Sequence, residues 1–205
     1  ANRIYVGTRK GLFVIERGND GWQIAAARLL GDPISMLLPG ASDTVTVAQA
    51  HGHFGVKIKR SDDGGATFEE RPVPAYPEKP DDVEDIDPVR NTPIPWNLNT
   101  IWSLEHGGAD RPGELWCGTI PGGLFRSSDN GDSWQLVESL WRHEGRKQWM
   151  GGGADYPAIA GSVTPVIHDA ASEARKSTAY MPIRTKTDRT PIVRALRIPS
   201  SNCPP

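Results

Sequence analysis

Apolar and polar residues alternate in short runs along the first 140 residues, and glycine-containing turns separate the runs. A period of two residues is typical of half-buried β-strands. Three units can be aligned, each with a strand, a short turn, a second strand, a tight turn and a third strand. Their strands are predicted at 3–8, 11–14 and 21–23, at 44–48, 55–59 and 67–69, and at 114–119, 123–126 and 133–135. The pattern predicts an all-β protein built from antiparallel strands.

A further short strand is predicted before the second and third units, at 34–38 and 101–105. Four short antiparallel strands in about 40 residues is the period of a β-propeller blade. The first unit lacks this extra strand. In propellers such a gap is filled by the far end of the chain, where candidate strands lie at 162–167, 178–183 and 191–198. The residues after 140 can add at most one blade and a closing strand.

The spacing of the units reveals an insertion. Ala48 lies 41 residues after the equivalent Gly7, whereas Gly118 lies 70 residues after Ala48. The excess falls in residues 71–99, where seven prolines exclude a central strand. We expect a long surface loop whose acidic stretch, 81–87, is solvated and does not bind a cation. Long loops in compact domains are often functional.

Two octapeptides, 61–68 and 127–134, follow the template Ser-x-Asp-x-Gly-x-Ser/Thr-aromatic at the same place in the repeat. An Asp side chain can accept hydrogen bonds from nearby backbone N–H groups, and Gly supplies the positive φ that a tight turn needs. The aromatic side chain is expected to pack into the blade core. We therefore predict a structural role in hairpin turns for the template residues. These residues are Ser61, Asp63, Gly65, Thr67 and Phe68, and Ser127, Asp129, Gly131, Ser133 and Trp134.

The two octapeptides resemble the Asp-box (BNR) repeat of sialidase-like β-propellers. The runs 4–13, 52–57 and 151–157 are similar to bacterial BNR-repeat glycosyl hydrolases, and the resemblance covers about residues 3–160. It implies peripheral, structural Asp boxes and a ring of six or seven blades, on the order of 300 residues. About three blades are legible here. We therefore expect an incomplete, truncated propeller of four-stranded antiparallel blades with Asp-box hairpins, and a small four-bladed domain is the alternative.

Composition divides the chain near residue 160. All 22 glycines lie at or before Gly161, and all seven tryptophans lie at or before Trp149. Residues 161–205 carry seven Arg and Lys against three Asp and Glu, a charge of +4, so residues 1–160 sum to −6. We expect 1–160 to form the partial propeller. We interpret 161–205 as an atypical basic tail that is an irregular blade, a disordered segment or the product of a changed reading frame.

Several classes of partner are disfavoured by the whole-chain composition. A net charge of −2 gives no reason to expect nucleic-acid or membrane binding, and no apolar run approaches the ~20 residues that cross a bilayer. The N-terminus has no signal-peptide layout, and Cys117 and Cys203 do not make a disulfide framework. We therefore expect a cytoplasmic protein with no cofactor. His51 and His53 have no Cys or carboxylate at ligand spacing, so no metal site is expected.

Catalysis of the kind that the resemblance implies needs two carboxylates about 5–10 Å apart. Glu105, at the end of a predicted innermost strand, and Asp155, in a glycine-rich loop beside Tyr156, are the preferred pair. Aromatic residues near predicted loops suggest a carbohydrate-type platform. The candidate ligand-binding residues are His53, Trp96, Trp102, Arg126, Trp149 and Tyr156.

Two function classes follow. One is a sialidase-superfamily BNR-repeat protein that is glycoside-hydrolase-like, with Glu105 and Asp155 as acid and base. The alternative is a non-catalytic propeller scaffold that binds a glycan or a protein. Because the ring is incomplete, we expect no robust activity from this chain, and its open sheet edges favour self-association.

Overall fold

A computed structural model describes residues 2–87 and 90–148, and the backbone of residues 194–195. Twelve strands lie in these residues: β1 (Arg3–Thr8), β2 (Gly11–Gly18), β3 (Gly21–Arg28), β4 (Ile34–Pro39), β5 (Val45–Ala50), β6 (Val56–Ser61), β7 (Glu69–Arg71), β8 (Thr100–His106), β9 (Leu115–Ile120), β10 (Gly123–Ser127), β11 (Gln135–Leu136) and β12 (Arg194–Ala195). The helical elements are α1 (Glu138–Trp141) and two 3-10 helices, Gly52–Phe54 and Glu144–Gln148.

The strands form three four-stranded antiparallel sheets, which we call blades. Blade 1 has the order β12-β1-β2-β3, blade 2 has β4-β5-β6-β7 and blade 3 has β8-β9-β10-β11. Blades 2 and 3 are therefore simple meanders, because short turns join strands that are neighbours in sequence. This architecture confirms the prediction of an all-β, incomplete propeller of four-stranded antiparallel blades.

The fourth strand of blade 1 comes from the far end of the chain. In the antiparallel pairing of β12 with β1, Val6 lies opposite Ala195 and Gly7 opposite Arg194. The two residues of β12 fall inside the candidate strand 191–198. A distant strand therefore completes the first blade. The other two candidate strands, 162–167 and 178–183, lie outside the described residues.

Blade 2 is buried on both faces. Leu37 and Val47 pack against Tyr5 and Leu12 of blade 1, while Ala48 packs against the core residues of blade 3. Successive side chains of a strand point to opposite faces, so the adjacent residues Val47 and Ala48 face blade 1 and blade 3 respectively. The sequence pattern predicted polar alternate positions for β5, but Thr46 is buried there because both faces of the strand meet a neighbouring blade.

The insertion between β7 and β8 contains no strand in its described residues apart from a single bridge between Ile86 and Pro93. The prediction that its acidic stretch is solvated is wrong for two residues, since Asp85 and Asp87 are buried. The loop folds back onto blade 3. Tyr76 packs edge-on against Phe125 of β10, with ring centroids 5.2 Å apart, and Asp85 is buried where it pairs with Arg146.

Candidate functional site

The connections between strands lie at two opposite ends of the blades, because neighbouring strands run in opposite directions. We call one end the loop end, since it carries the long connections. Its segments are 9–10, 29–33, 51–55, 72–99, 121–122 and 137–148. We call the other the turn end. Its segments are 19–20, 40–44, 62–68, 107–114 and 128–134.

The first octapeptide lies at the turn end, between β6 and β7. The Asp63 carboxylate accepts hydrogen bonds from the backbone N–H groups of Ala66 and Thr67, each at 2.9 Å to Oδ1, and from Thr67 Oγ1 at 2.7 Å. Ser61 Oγ donates to Asp63 Oδ1 at 2.7 Å and accepts from the Gly65 N–H at 2.7 Å. Each polar group of the template therefore closes a hydrogen bond inside the turn.

The second octapeptide, between β10 and β11, repeats this geometry. Ser127 Oγ donates to Asp129 Oδ1 at 2.7 Å and accepts from the Gly131 N–H at 2.8 Å, while the Ser133 N–H donates to Asp129 Oδ1 at 2.9 Å. Hydrogen bonds from Ser133 and Ser127 lower the pKa of Asp129 to about 2. Those from Thr67 and Ser61 hold the pKa of Asp63 well below its usual range.

Backbone conformation explains the glycine of the template. Gly65 and Gly131 each have a φ of 89°, a backbone conformation that residues other than glycine rarely adopt. The aromatic residues after them pack as expected: Phe68 lies against the core shared by blades 1 and 2, and Trp134 against the core shared by blades 2 and 3. Trp134 Nε1 also donates to the carbonyl of Pro72 at 3.0 Å.

The predicted catalytic residue Glu105 lies in the turn-end half of β8. It pairs in register with Trp116, and the next residue, His106, donates from its ring to the Pro39 carbonyl at 2.9 Å. Desolvation by the surrounding protein raises the pKa of Glu105, and the nearby His106 opposes this shift. Its predicted partner Asp155 lies outside the described residues, so the pairing stays a prediction.

Arg126 also lies in the turn-end half of blade 3, in the same cross-strand row as Glu105 and Trp116. Its Nε donates to Glu114 Oε2 at 2.7 Å, and its guanidinium lies 5.8 Å from the centre of the Trp116 ring. Glu114 is buried, which opposes ionisation, but the hydrogen bonds from Arg126 and Trp116 lower its pKa. Arg126 is thus paired within blade 3, at the opposite end from His53.

The loop end contains an open pocket of about 400 Å³ between blades 2 and 3. One wall is the 3-10 helix at the start of β6, and the other is the segment that leads from the insertion into β8. The described lining residues are Ala50, Gly52, His53, Gly55, Asn97, Leu98, Asn99 and Thr100. His53 is the predicted ligand-binding residue that lines it. Sequence analysis missed the two asparagines, because polar residues in a loop carry no pattern of their own.

The predicted aromatic platform is only partly described. Trp96 is half-buried, and its Nε1 donates to Asp85 Oδ2 at 2.8 Å. Trp102 is half-buried at a bulge near the start of β8. Trp149 and Tyr156 lie outside the described residues. The platform therefore stays a prediction.

A buried cluster that the sequence did not predict lies beneath the loop end. Arg146 Nη2 donates to Asp85 Oδ2 at 2.7 Å, and Arg146 Nε donates to the Trp141 carbonyl at 2.8 Å. The Arg146 guanidinium stacks over the Trp141 ring at 3.9 Å, and Trp96 meets the same ring edge-on. This cluster joins the insertion to the segment after blade 3.

A second polar network links blades 1 and 2. Gln49 is buried in β5; its Nε2 donates to Asp32 Oδ2 at 2.9 Å, and its Oε1 accepts from the His51 ring at 3.3 Å. Lys59 Nζ lies 3.5 Å from the same Asp32 oxygen. These contacts attach the 29–33 connection to blade 2. A glutamine in a strand whose other residues are Val, Thr and Ala was the sequence signal that could have revealed the network.

No model of a known protein family matches the sequence, and a search of curated proteins found no match. Among solved structures, the chain is similar to YCF48 bound to D1 peptide, at 15% identity and a TM-score of 0.41 over 67% of this chain and 37% of that one. It is also similar to a GH74 xyloglucanase from Xanthomonas campestris, at 18% identity and a TM-score of 0.43 over 67% of this chain and 19% of that one. The chain therefore spans well under half the length of either protein.

Within residues 2–87 and 90–148, no group of three or more His, Cys, Asp or Glu side chains lies close enough together to hold a metal ion. None of the helices in the described segments has the length and apolar composition needed to cross a membrane.

Proposed function

We propose that the chain is an Asp-box propeller protein of the sialidase-like group and that it binds a ligand at its loop end without hydrolysing it. The matched hydrogen bonds of the two octapeptide turns support the Asp-box assignment. In both turns the Asp carboxylate accepts from the N–H of the Thr or Ser four residues on, and the Ser hydroxyl accepts from the N–H of the template Gly. This chemistry leaves Asp63 and Asp129 committed to the turns and not to a substrate.

The observation that carries the binding role is the pocket at the loop end. The side chains of His53 and Asn97 are exposed there, and neither makes a hydrogen bond within the part of the chain that the structure describes. Polar groups that converge on a concave surface without protein partners are typical of ligand sites. Both are therefore available to a ligand.

Hydrolysis is disfavoured by the placement of the carboxylates. A glycosidase needs two carboxyl groups about 5–10 Å apart across the scissile bond. Of the lining residues that the structure describes, none is an Asp or a Glu. Glu105 lies in the turn-end half of β8, whereas the pocket lies at the opposite end of the blades.

A glycoside-hydrolase-like activity is the second candidate, and Glu105 favours it, because desolvation raises the pKa of its carboxyl group, the direction of shift that suits a general acid. A panel of chromogenic glycosides that includes sialosides tests it, with wild-type chain and Glu105→Gln. Turnover that disappears in Glu105→Gln would support the hydrolase. Absence of turnover by the wild type would leave the binding role.

The binding role is tested with glycan and peptide arrays probed by the full chain. The variants His53→Ala and Asn97→Ala should lose the signals that the wild type gives. Asn19→Ala is the matched control, because Asn19 is an exposed asparagine in the β2–β3 turn at the opposite end. Ligands that bind the wild type and both pocket variants equally would contradict a loop-end site.

Self-association through sheet edges is a separate proposal. β3 is the outer strand of blade 1, and on it Trp22 and Ile24 are 46% and 66% exposed. An exposed strand edge with apolar side chains can pair with a second copy of the chain. Light scattering should report oligomers that Ile24→Lys reduces, and a monomeric wild type at high concentration would contradict the proposal.

A further inference from the structure

The second octapeptide turn contains a pair of residues that is prone to deamidation. Asn130–Gly131 is the only Asn–Gly pair in the sequence. In such a pair the backbone nitrogen of the glycine can attack the side-chain carbonyl carbon of the asparagine, because glycine has no side chain to hinder the approach. The Cγ–Nδ2 bond then breaks, ammonia leaves and a succinimide ring remains. Water opens this ring at either carbonyl group, which yields aspartate or isoaspartate.

The group that reacts as the electrophile lies at the surface. Asn130 is exposed, and its backbone has a φ of 59°. Its N–H donates to the Gly113 carbonyl at 2.8 Å. Its side-chain amide lies against the same glycine, since a Cβ built on Gly113 would come within 3.3 Å of Asn130 Nδ2. Water can therefore reach the amide, and ammonia can leave it.

The nucleophile, in contrast, is buried and hydrogen-bonded. The Gly131 N–H donates to Ser127 Oγ at 2.8 Å, and both residues are buried. The nitrogen must lose its proton in order to attack, so a base has to reach this N–H and the hydrogen bond has to break. A buried donor that loses its acceptor is unfavourable. The Ser127 hydroxyl group therefore opposes the first step of the reaction.

Further hydrogen bonds hold the Ser127 hydroxyl group in place. It donates to Asp129 Oδ1 at 2.7 Å and accepts from the Asp129 N–H at 3.3 Å. The same carboxylate accepts from the Ser133 N–H at 2.9 Å. Because these groups share their partners, the Gly131 N–H is released when the turn opens as a unit. Local openings of this kind need less free energy than global unfolding.

The first octapeptide turn supplies an internal comparison. Gly64 occupies the position of Asn130 there and also has a positive φ, of 71°. Its N–H donates to the Asp43 carbonyl at 2.8 Å, as the Asn130 N–H does to the neighbouring connection of blade 3. Ser61 makes the equivalent hydrogen bond to the template glycine. The two turns therefore share the serine, and the second alone has an asparagine amide beside the glycine nitrogen.

We infer that Asn130 is a deamidation site and that the Ser127 hydroxyl group controls its rate. The closed turn withholds the Gly131 nitrogen, and each opening of the turn exposes it. The products hinder reclosure. An aspartate adds a negative charge next to Asp129, and an isoaspartate adds one methylene group to the main chain before Gly131. Deamidation therefore makes the opening of this turn irreversible, whatever the loop end binds.

The experiment incubates the full chain and three variants at mildly alkaline pH. Mass spectrometry of the peptide that contains Asn130 separates the asparagine, aspartate and isoaspartate forms. Ser127→Ala should deamidate about fivefold faster than the wild type, as expected for the loss of one hydrogen bond. Ser61→Ala is the matched control, because it removes the equivalent hydrogen bond from the first turn and should leave the rate unchanged. Asn130→Gly copies the first turn, so it should fold and give no product.

The same measurement in concentrated urea separates protection by the turn from intrinsic reactivity. There the wild type, Ser127→Ala and Ser61→Ala should deamidate at one rate, which exceeds that of the folded wild type. Equal rates for the folded and unfolded wild type would overturn the inference, and this comparison decides the matter even where Ser127→Ala does not fold. In folded chains, a Ser127→Ala rate equal to that of the wild type would also overturn it. So would equal acceleration by Ser61→Ala, because deamidation would then follow global unfolding.

Discussion

Arg146 Nη2 lies 2.7 Å from Asp85 Oδ2, and the two side chains are 9% and 1% exposed. The residues are 61 positions apart, one in the insertion and the other in the 3-10 helix after blade 3. The pair therefore fixes the long connection of the loop end against the segment that follows blade 3. It also holds Trp96 in place, since Trp96 Nε1 donates to the same carboxylate oxygen.

Removing one partner of this pair should destabilise the fold strongly. Arg146→Met leaves the buried Asp85 carboxylate without its countercharge, a change that typically costs about 3–5 kcal/mol. Urea denaturation measures the loss of unfolding free energy. Arg142→Met is the control, because Arg142 pairs with Glu138 at 2.7 Å on the exposed surface and should cost under about 1 kcal/mol.

A second variant checks the cause. Adding Asp85→Asn to Arg146→Met removes the unpaired charge and keeps an acceptor for Trp96, so part of the lost stability should return. Equal losses of unfolding free energy in Arg146→Met and Arg142→Met would contradict the view that the unpaired buried charge causes the destabilisation.

The Asp side chains of the two octapeptide turns should make the free energy of unfolding depend on pH in the acid range. The folded-state pKa of Asp129 is lowered to about 2, against about 3.9 in an unfolded chain. The unfolded state therefore binds the proton more tightly. The contribution of Asp129 is present above about pH 4 and is lost as the pH falls towards about 2.

Asp129→Asn should flatten this part of the profile of melting temperature against pH between 2 and 6. Asp20→Asn should keep the wild-type slope, because the exposed Asp20 side chain makes no hydrogen bond within the described residues. An Asp129→Asn profile parallel to that of the wild type would argue against the turn as the source of the dependence.

Tyr76 should stabilise the fold through its hydroxyl group. It hydrogen-bonds with Thr119 Oγ1 and donates to the Pro121 carbonyl. Burial raises its pKa well above the usual value of about 10. Tyr76→Phe should reduce the unfolding free energy by about 1–2 kcal/mol. The ultraviolet titration of the Tyr76→Phe variant up to pH 11 should match that of the wild type. A smaller tyrosinate signal in the variant would show that Tyr76 ionises normally in the wild type.

The pairing of β12 with β1 should slow amide hydrogen exchange in blade 1. Ala195→Pro removes a backbone donor from β12 opposite Val6. Amide hydrogen exchange in peptides that cover β1 should become about fivefold faster, as expected for about 1 kcal/mol of lost hydrogen bonding. Peptides that cover β5 should exchange as in the wild type. Unchanged protection of β1 would contradict a pairing role for residues 194–195.

The predicted strands of the three units all overlap observed strands, although β2 and β3 extend four and five residues beyond their predicted ends. The period-two runs at 3–8 and 123–126 correspond to β1 and β10 within one residue. The interior of the insertion was less predictable. A run of acidic residues has the same local signal whether it is solvated or paired with Arg146, and the pairing depends on a contact across 61 residues.

Local interactions were sufficient to predict the strands, the hairpin turns and the four-strand repeat. The alternation of apolar and polar residues, the hydrogen bonds of an Asp side chain and the positive φ of a glycine each depend on residues only a few positions apart. Tertiary packing decided which polar groups are buried and which end each candidate residue occupies. Gln49 and Asp85 are buried only because other segments cover them. His53 and Glu105 lie towards opposite ends because strand direction, and not distance along the chain, sets the position of a side chain in a blade.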